Sequence, residues 1–183
     1  MKSAVIVALC AWLFGGAAAF AGEWVISPQG YGPVKIGMTG AQAAAALGMK
    51  LVPSDAEDGE VDPACHHLEA PAMVGEDISF MVENGHIARV SVYRGPLASE
   101  TDKGITLGST EAAVIAAYGG VLEIRPAEYS DGHDLIFWDA AKGRGIRYVT
   151  TAEEGASMDD PASLHVTEIH AGGEAMYFVE GCL

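Results

Sequence analysis

The residues best suited to acid–base chemistry lie in one polar segment, residues 129–134. It brings Tyr129, Asp131, His133 and Asp134 within six positions. A histidine tuned by neighbouring carboxylates can move protons, so the segment raises one alternative, an exported enzyme of unknown reaction with a site near Tyr129 and His133. The chain has no G-x-S-x-G nucleophile motif, and we assign no catalytic residue.

Metal chemistry is not indicated by the spacing of the ligand-type residues. His66 and His67 follow Cys65, but neighbours on a strand point to opposite faces and cannot easily bind one ion together. No C-x-x-C or H-x-x-x-H pattern accompanies them. The acidic segments 55–62 and 153–160 do not match a calcium loop and are interpreted as solvated turns. We expect neither a metal nor a cofactor.

Aromatic and arginine side chains suggest a binding face. In the predicted strands 87–93 and 134–138, strict alternation places Arg89, Tyr93 and Trp138 opposite the core. Arg147 follows the same rule, and this mixture of Tyr, Trp and Arg is typical of interface hot spots. The competing interpretation is that an N-terminal strand or the C-terminal tail covers this face. The candidates for partner binding are Arg89, Tyr93, Trp138, Arg147 and His133.

Charge and composition limit the partners. The 183 residues include 25 acidic against 10 basic side chains, a net charge of −15, and half of the chain is hydrophobic. This describes one domain or two small units with a real core. Nucleic acids and anionic membranes require basic patches, which the chain lacks. The acidic surface instead favours an exported basic protein or a small cationic ligand.

The N-terminal segment predicts export. Residues 1–21 combine Lys2, an apolar run and the small-residue end Ala19–Ala21, which is typical of a cleaved signal peptide rather than a membrane anchor. The mature protein would be periplasmic or secreted, with a net charge of −16 after loss of Lys2. Two cysteines would remain, and an oxidising compartment predicts a disulfide between Cys65 and Cys182.

A similar unit occurs twice. Residues 36–48 and 107–119 align without a gap at an offset of 71, each with an apolar residue, Gly, Thr, an Ala-rich stretch and a closing Gly. Thr39 and Thr110 are helix N-caps by this pattern, and strand-like runs follow each helix. We therefore predict an α+β fold of two tandem repeats, each a helix plus an antiparallel meander. The repeats would span 22–97 and 98–183, the second including the C-terminal tail.

These repeats resemble those of β-lactamase inhibitory proteins and of the small lipoproteins of the outer-membrane assembly machine. The matching residues are Ile36–Thr39 with Leu47–Gly48, and Leu107–Thr110 with Tyr118–Gly119. The segments 129–134 and 179–182 also look like those of uncharacterised exported bacterial proteins. The resemblance implies a two-layer sandwich whose strands join into one curved sheet with a concave binding face. No inhibitory residues carry over, because the loops that hold them do not align.

Together these features predict an exported, non-enzymatic binding module, with a protein-binding or inhibitor-like role. Besides the enzyme near Tyr129 and His133, the remaining alternative is a structural protein of the cell envelope.

Overall fold

The computed structural model describes residues 24–54, 61–71, 77–94 and 100–182. The predicted signal peptide, most of the acidic segment 55–62 and the 95–99 part of the connector between the halves lie outside these residues.

Two helices and eleven strands make up the described fold. The helices are α1, Gly40–Leu47, and α2, Glu111–Tyr118. The strands of the first half are β1 (Ile26–Ser27), β2 (Gly30–Tyr31), β3 (Val34–Lys35), β4 (Val52–Pro53), β5 (Cys65–Glu69), β6 (Asp77–Glu83) and β7 (His86–Arg94). Those of the second half are β8 (Glu123–Pro126), β9 (His133–Asp139), β10 (Arg144–Ala152) and β11 (Leu164–Gly172). Short 3-10 turns follow α2 at Gly119–Val121 and β11 at Glu174–Tyr177.

The strands form one small and one large antiparallel sheet. Strands β1 to β3 make the small sheet, and the large sheet has the order β4-β5-β6-β7-β11-β10-β9-β8. Each half therefore contributes four consecutive strands, and the halves meet where β7 pairs with β11, with Ile169 opposite Val92 and Ala171 opposite Val90. The fold is α+β, dominated by this eight-stranded sheet.

Both predicted helices are present, and their caps explain where they begin. Thr39 accepts a hydrogen bond from the backbone N–H of Gln42, whose side chain accepts one from the N–H of Thr39, a complete capping box. Thr110 accepts from the N–H of Ala113 in the same way. Gly48 ends α1 in the left-handed conformation. Gly119 does not, because its ψ of −143° lies outside that region.

A tight hairpin joins β6 and β7, as the adjacent Asn84 and Gly85 predict. Asn84 and Gly85 have φ of 49° and 82°, the two positive values that a tight hairpin of this kind requires. This turn sets Val82 opposite Ile87, and a register shift between Val82 and Met81 then brings Met81 opposite Arg89.

The helices lie over one face of the large sheet and enclose the hydrophobic core. Leu47 of α1 and Val114 of α2 are buried in one cluster with strand residues such as Phe80, Val90 and Ile146. Tyr118 ties α2 to the sheet through a 2.9 Å contact between its hydroxyl and that of Tyr148. Burial raises the pKa of Tyr148 to about 12, so both hydroxyls stay protonated.

The C-terminal tail, residues 173–182, covers part of the opposite face, which we call the distal face. The predicted disulfide between Cys65 and Cys182 is present, with Cα atoms 5.5 Å apart, and fastens the tail to β5. Gly145 of β10 allows the tail to pack closely, because a Cβ there would lie 2.7 Å from the Met176 methyl group and 2.3 Å from the Phe137 carbonyl oxygen.

Candidate functional site

The alternation of the strands places the predicted arginines on the distal face, but they are not exposed. Arg89 and Arg147 are each only 1% exposed. The expectation that both guanidinium groups look out to solvent is therefore wrong. At Arg89 the structure instead agrees with the competing interpretation, because the C-terminal tail covers this residue.

The tail reaches Arg89 through its backbone. Nη1 of Arg89 donates hydrogen bonds to the carbonyl oxygens of Ala175, at 3.2 Å, and Phe178, at 2.6 Å. Burial lowers the pKa of this guanidinium, although such a group keeps its proton in any ordinary solution. Arg89 thus holds the tail against the sheet, which is a structural role.

Beside the arginines lies a fully buried histidine. His170 donates from Nε2 to Glu168 at 3.0 Å, because a carboxylate can only accept, and its Nδ1 then accepts from the Ser91 hydroxyl at 2.9 Å. Burial is the largest cause that lowers its pKa to about 4, and the two arginines act in the same direction. The hydrogen bond from His170 in turn lowers the pKa of Glu168. The pair is a neutral imidazole on an ionised carboxylate.

Arg147 is held much less well than Arg89. Its charged partner is Asp134, whose Oδ2 lies 3.6 Å from Nη1, beyond hydrogen-bond distance. Asp134 instead accepts two hydrogen bonds of 3.2 Å from Arg125 on β8. Nε of Arg147 has no hydrogen-bond partner among the described residues.

Two neighbouring cavities open on this side of the molecule. The tail cavity, of 660 Å³, lies against the disulfide, and its lining residues are Cys65, Met81, Glu83, Glu128, Tyr129, Phe178, Val179, Glu180, Gly181 and Cys182. The arginine cavity, of 520 Å³, is lined by residues 127–131, Asp134, Arg147, Val149, Thr151, Thr167, Glu168 and Val179. Glu128, Tyr129 and Val179 belong to both, so the cavities adjoin.

The two aromatic candidates are partly exposed at the edge of the covered region. Trp138 lies with its ring centroid 5.8 Å from that of Tyr177 in the tail. Tyr93 meets His170 edge to face at 5.5 Å. Tyr93 therefore contacts a buried group as well as solvent, whereas Trp138 contacts the partly exposed Tyr177. Neither aromatic residue lines one of the two cavities.

His133 lines neither of the two cavities and contacts helix α2 instead. It lies near the start of β9, and its Nδ1 donates to the buried carboxylate of Glu111, the first residue of α2, at 3.0 Å. Thr150 completes the contact by donating to the same carboxylate at 2.9 Å. Tyr129 has another partner, because its hydroxyl donates to Glu180 of the tail. Of the predicted acid–base residues, Tyr129, Asp131 and Asp134 line the arginine cavity, whereas His133 does not.

Metal-ligand and membrane-spanning features were sought in the same part of the chain. Over residues 24–54, 61–71, 77–94 and 100–182, no three His, Cys, Asp or Glu side chains come together in a way that would hold a metal ion. Within those ranges, too, no helix has the length and apolar character needed to cross a membrane.

Sequence reasoning missed several residues of this region. The tail cavity depends on Met81 and Glu83, which come into the site only through the disulfide and the tail. His170 is not among the predicted candidates, although its alternation with Ile169 places it in the row of Arg147 and Ser91. A polar residue in a row of otherwise buried strand positions is the signal that would have found it.

The fold defines the class of protein as an α+β domain built on one large antiparallel sheet. Comparison with known proteins adds a similar solved structure. No family model and no curated protein matches the chain. A similar solved structure is that of the uncharacterized protein YfeY from Escherichia coli, with a TM-score of 0.50 and 17% identity, covering 80% of this chain and 98% of that one. At this identity the likeness concerns the fold alone. No inhibitor or assembly-lipoprotein family is matched.

Proposed function

We propose that this protein is an exported, non-enzymatic binding module that receives a positively charged group in the tail cavity. The observation that carries the proposal is the composition of that cavity. Its floor is apolar, formed by Met81, Phe178 and the disulfide, whereas Glu83, Glu128 and Glu180 supply carboxylates. None of the described residues that line it is basic.

The chemistry of these walls favours an ammonium or guanidinium group on an apolar stem. The stem would bury hydrocarbon against Met81 and Phe178, and the charged group would remain near the carboxylates, as lysine and arginine side chains do at interfaces. Tyr129, a residue that is 71% exposed, adds an aromatic face that attracts cations. The strongly acidic chain would steer such a group toward the site.

Two sources share this chemistry, a basic side chain of another exported protein and a small amphipathic amine. The burial of Arg89 and Arg147 removes them from the open protein-binding face that the sequence predicts. Tyr93 and Trp138 remain candidates for the rim of such a face, because both are partly exposed.

The proposal includes the finer account of the fold and of the compartment. The mirrored order of four strands from each half, with a helix ahead of each set, supports two repeats spanning 22–97 and 98–183 that join into one curved sheet. The disulfide supports an oxidising location, periplasmic or secreted, reached through the signal peptide at 1–21.

The small-ligand arm of the test is a titration of the oxidised protein with hexylammonium, followed through the methyl NMR signal of Met81. Hexanol is the uncharged match and should bind more weakly. Glu83→Gln should weaken hexylammonium binding by about twofold to fivefold, corresponding to roughly 0.5–1 kcal/mol for one partly exposed carboxylate. Glu154→Gln, in an exposed turn outside the cavity, is the matched control. Equal binding of hexanol and hexylammonium would contradict the proposal.

The protein arm uses the oxidised protein as bait in an extract of its own cell envelope, at low and high salt. A stoichiometric partner whose binding weakens with salt and with Glu83→Gln, but not with Glu154→Gln, would identify the source as a protein side chain. A captured partner insensitive to both salt and Glu83→Gln would contradict a charged contact in the tail cavity.

A further inference from the structure

The unexplained feature of the distal face is the guanidinium of Arg147. An arginine carries five N–H donors and a permanent charge, and buried donors in folded proteins nearly always find acceptors. Arg147 is 1% exposed, yet its Nε has no acceptor among the described residues and its ion pair to Asp134 spans 3.6 Å. It also lines the arginine cavity. A buried cation with an unmet Nε–H donor at a cavity wall is suited to an anion inside the cavity.

Arg89 shows that burial alone does not account for this. Its Nε is also unpaired, but its Nη1 has two carbonyl acceptors in the tail, and it lines neither cavity. Among the described residues Arg147 has no such backbone acceptor, and its ion-pair partner Asp134 is already engaged by the fork of Arg125. No described anion therefore lies within hydrogen-bond distance of Arg147.

The other walls of the arginine cavity decide what kind of anion would enter. Glu128, Asp131 and Glu168 bring further carboxylates, and the side chains of Ser130, Thr151 and Thr167 bring hydroxyl groups. A simple anion would be repelled by this surround. A ligand that carries an ammonium group beside its carboxylate would match both the positive and the negative groups of the cavity. Its ammonium group can donate to Glu168 while its carboxylate accepts from Arg147.

We propose that the arginine cavity binds the head group of an amino-acid-like zwitterion, with its carboxylate on Arg147 and its ammonium group toward Glu168. The cavity volume of 520 Å³ lies within the range of about 300–1,000 Å³ that is typical of small-molecule sites. That volume leaves room for a side chain or a second residue beyond the head group. This inference goes beyond the proposed function and does not rest on it, since it concerns the other cavity.

The test follows the buried Nε–Hε NMR signal of Arg147 in the oxidised protein. The probes are the common free L-amino acids and L-alanyl-L-alanine. For each probe that binds, two analogues follow, the carboxamide, which lacks the carboxylate, and the N-acetyl derivative, which lacks the ammonium group. We expect at least one zwitterion to shift the signal saturably, and we expect each analogue to bind at least tenfold more weakly.

Arg147→Lys keeps the charge but removes the planar fork, and it should also weaken binding at least tenfold. Arg144→Lys, on the same strand but outside the cavity, is the matched control and should bind as the unaltered protein does. No shift of the Arg147 signal with any probe, or carboxamides that bind as well as their parent compounds, would overturn the inference. Both results come from the unaltered protein, so they do not depend on whether a variant folds.

The result is separable from that of the proposed function. A carboxamide that shifts the Met81 methyl signal, in a protein whose Arg147 signal no zwitterion shifts, would support cation binding in the tail cavity and count against the zwitterion site. A zwitterion that shifts the Arg147 signal, in a protein that fails to bind hexylammonium, would support the zwitterion site and count against cation binding in the tail cavity.

Discussion

Protonation of His170 is expected to destabilise the protein as the pH falls below neutrality. In the folded protein the ring is buried and its pKa lies at about 4, whereas an exposed histidine titrates near 6.5. As the pH falls, the unfolded chain therefore takes up its proton first, and the free energy of unfolding decreases between these two values. Above this window the contribution is fully present, and below it the loss is complete.

The size of the effect follows from the width of the window. At about 1.4 kcal/mol for each pH unit between 6.5 and about 4, the full loss is about 3 kcal/mol. Roughly 2 kcal/mol of this should already be lost between pH 7 and pH 5. The charges around the ring, Glu168 together with Arg89 and Arg147, are included in the lowered pKa. Glu168 itself adds a further loss only below its ordinary value of 4.5, because its own pKa is lowered.

The measurement is urea-induced unfolding at pH 7 and pH 5 for the unaltered protein and for His170→Gln. Glutamine can still donate to Glu168 and accept from Ser91, but it does not titrate. The variant should lose about 2 kcal/mol less than the unaltered protein over this interval. His86→Gln, at an exposed position on β7, is the control and should leave the pH dependence unchanged. Parallel pH dependences for His170→Gln and the unaltered protein would show that the ring is not held neutral by burial.

Three further predictions concern the parts that build the distal face and the helices. Removing the disulfide by Cys65→Ala with Cys182→Ala should lower the free energy of unfolding by about 4–5 kcal/mol, since the bond joins residues 117 apart. Urea titration of this variant, and of the unaltered protein with and without reductant, measures the loss. Equal stability of the oxidised protein and of the forms without the disulfide would refute the prediction. Gly145→Ala should lower the free energy of unfolding by about 3 kcal/mol, because the new methyl group would clash with the tail and with the backbone of β9. An unchanged melting temperature would contradict the close packing. Thr39→Ala should lower the free energy of unfolding by about 1 kcal/mol, because α1 loses its N-cap. Thermal unfolding measures the loss, and the control Thr39→Ser should retain the stability of the unaltered protein.

Local sequence signals account for the parts of the fold that were predicted. The Gly-x-Thr pattern located both helices because a threonine side chain can cap the helix that follows it, whatever surrounds it. Asn84–Gly85 located the β6–β7 hairpin because few residues tolerate two positive φ angles in succession. The small sheet, β4 and β8 carry no such signal, since strands of two to four residues are too short for an alternation to emerge.

The candidate site was predicted less well, for a reason that lies in tertiary structure. Alternation along β7 and β10 correctly separated Arg89 and Arg147 from the core, but it cannot tell an open face from a covered one. What covers Arg89 is a segment with no regular strand, whose backbone carbonyls provide the hydrogen bonds. The contact of His133 could not be predicted for a related reason, because its partner Glu111 comes from a helix that lies 22 residues away in the chain.

The long sequence separation of the disulfide distinguishes the closing of the sheet from the docking of the tail. Cys65 and Cys182 are separated by 117 positions, and α2 and strands β8 to β11 all lie between them. The eight-stranded sheet can therefore close while the tail is still detached and water still reaches Arg89 from the distal side. Dehydration of that charge needs the docked tail, whose carbonyl groups accept from Arg89 and which the disulfide fastens to β5. Reduction would remove one of the bonds that hold the tail, whose residues line the tail cavity and, through Val179, the arginine cavity.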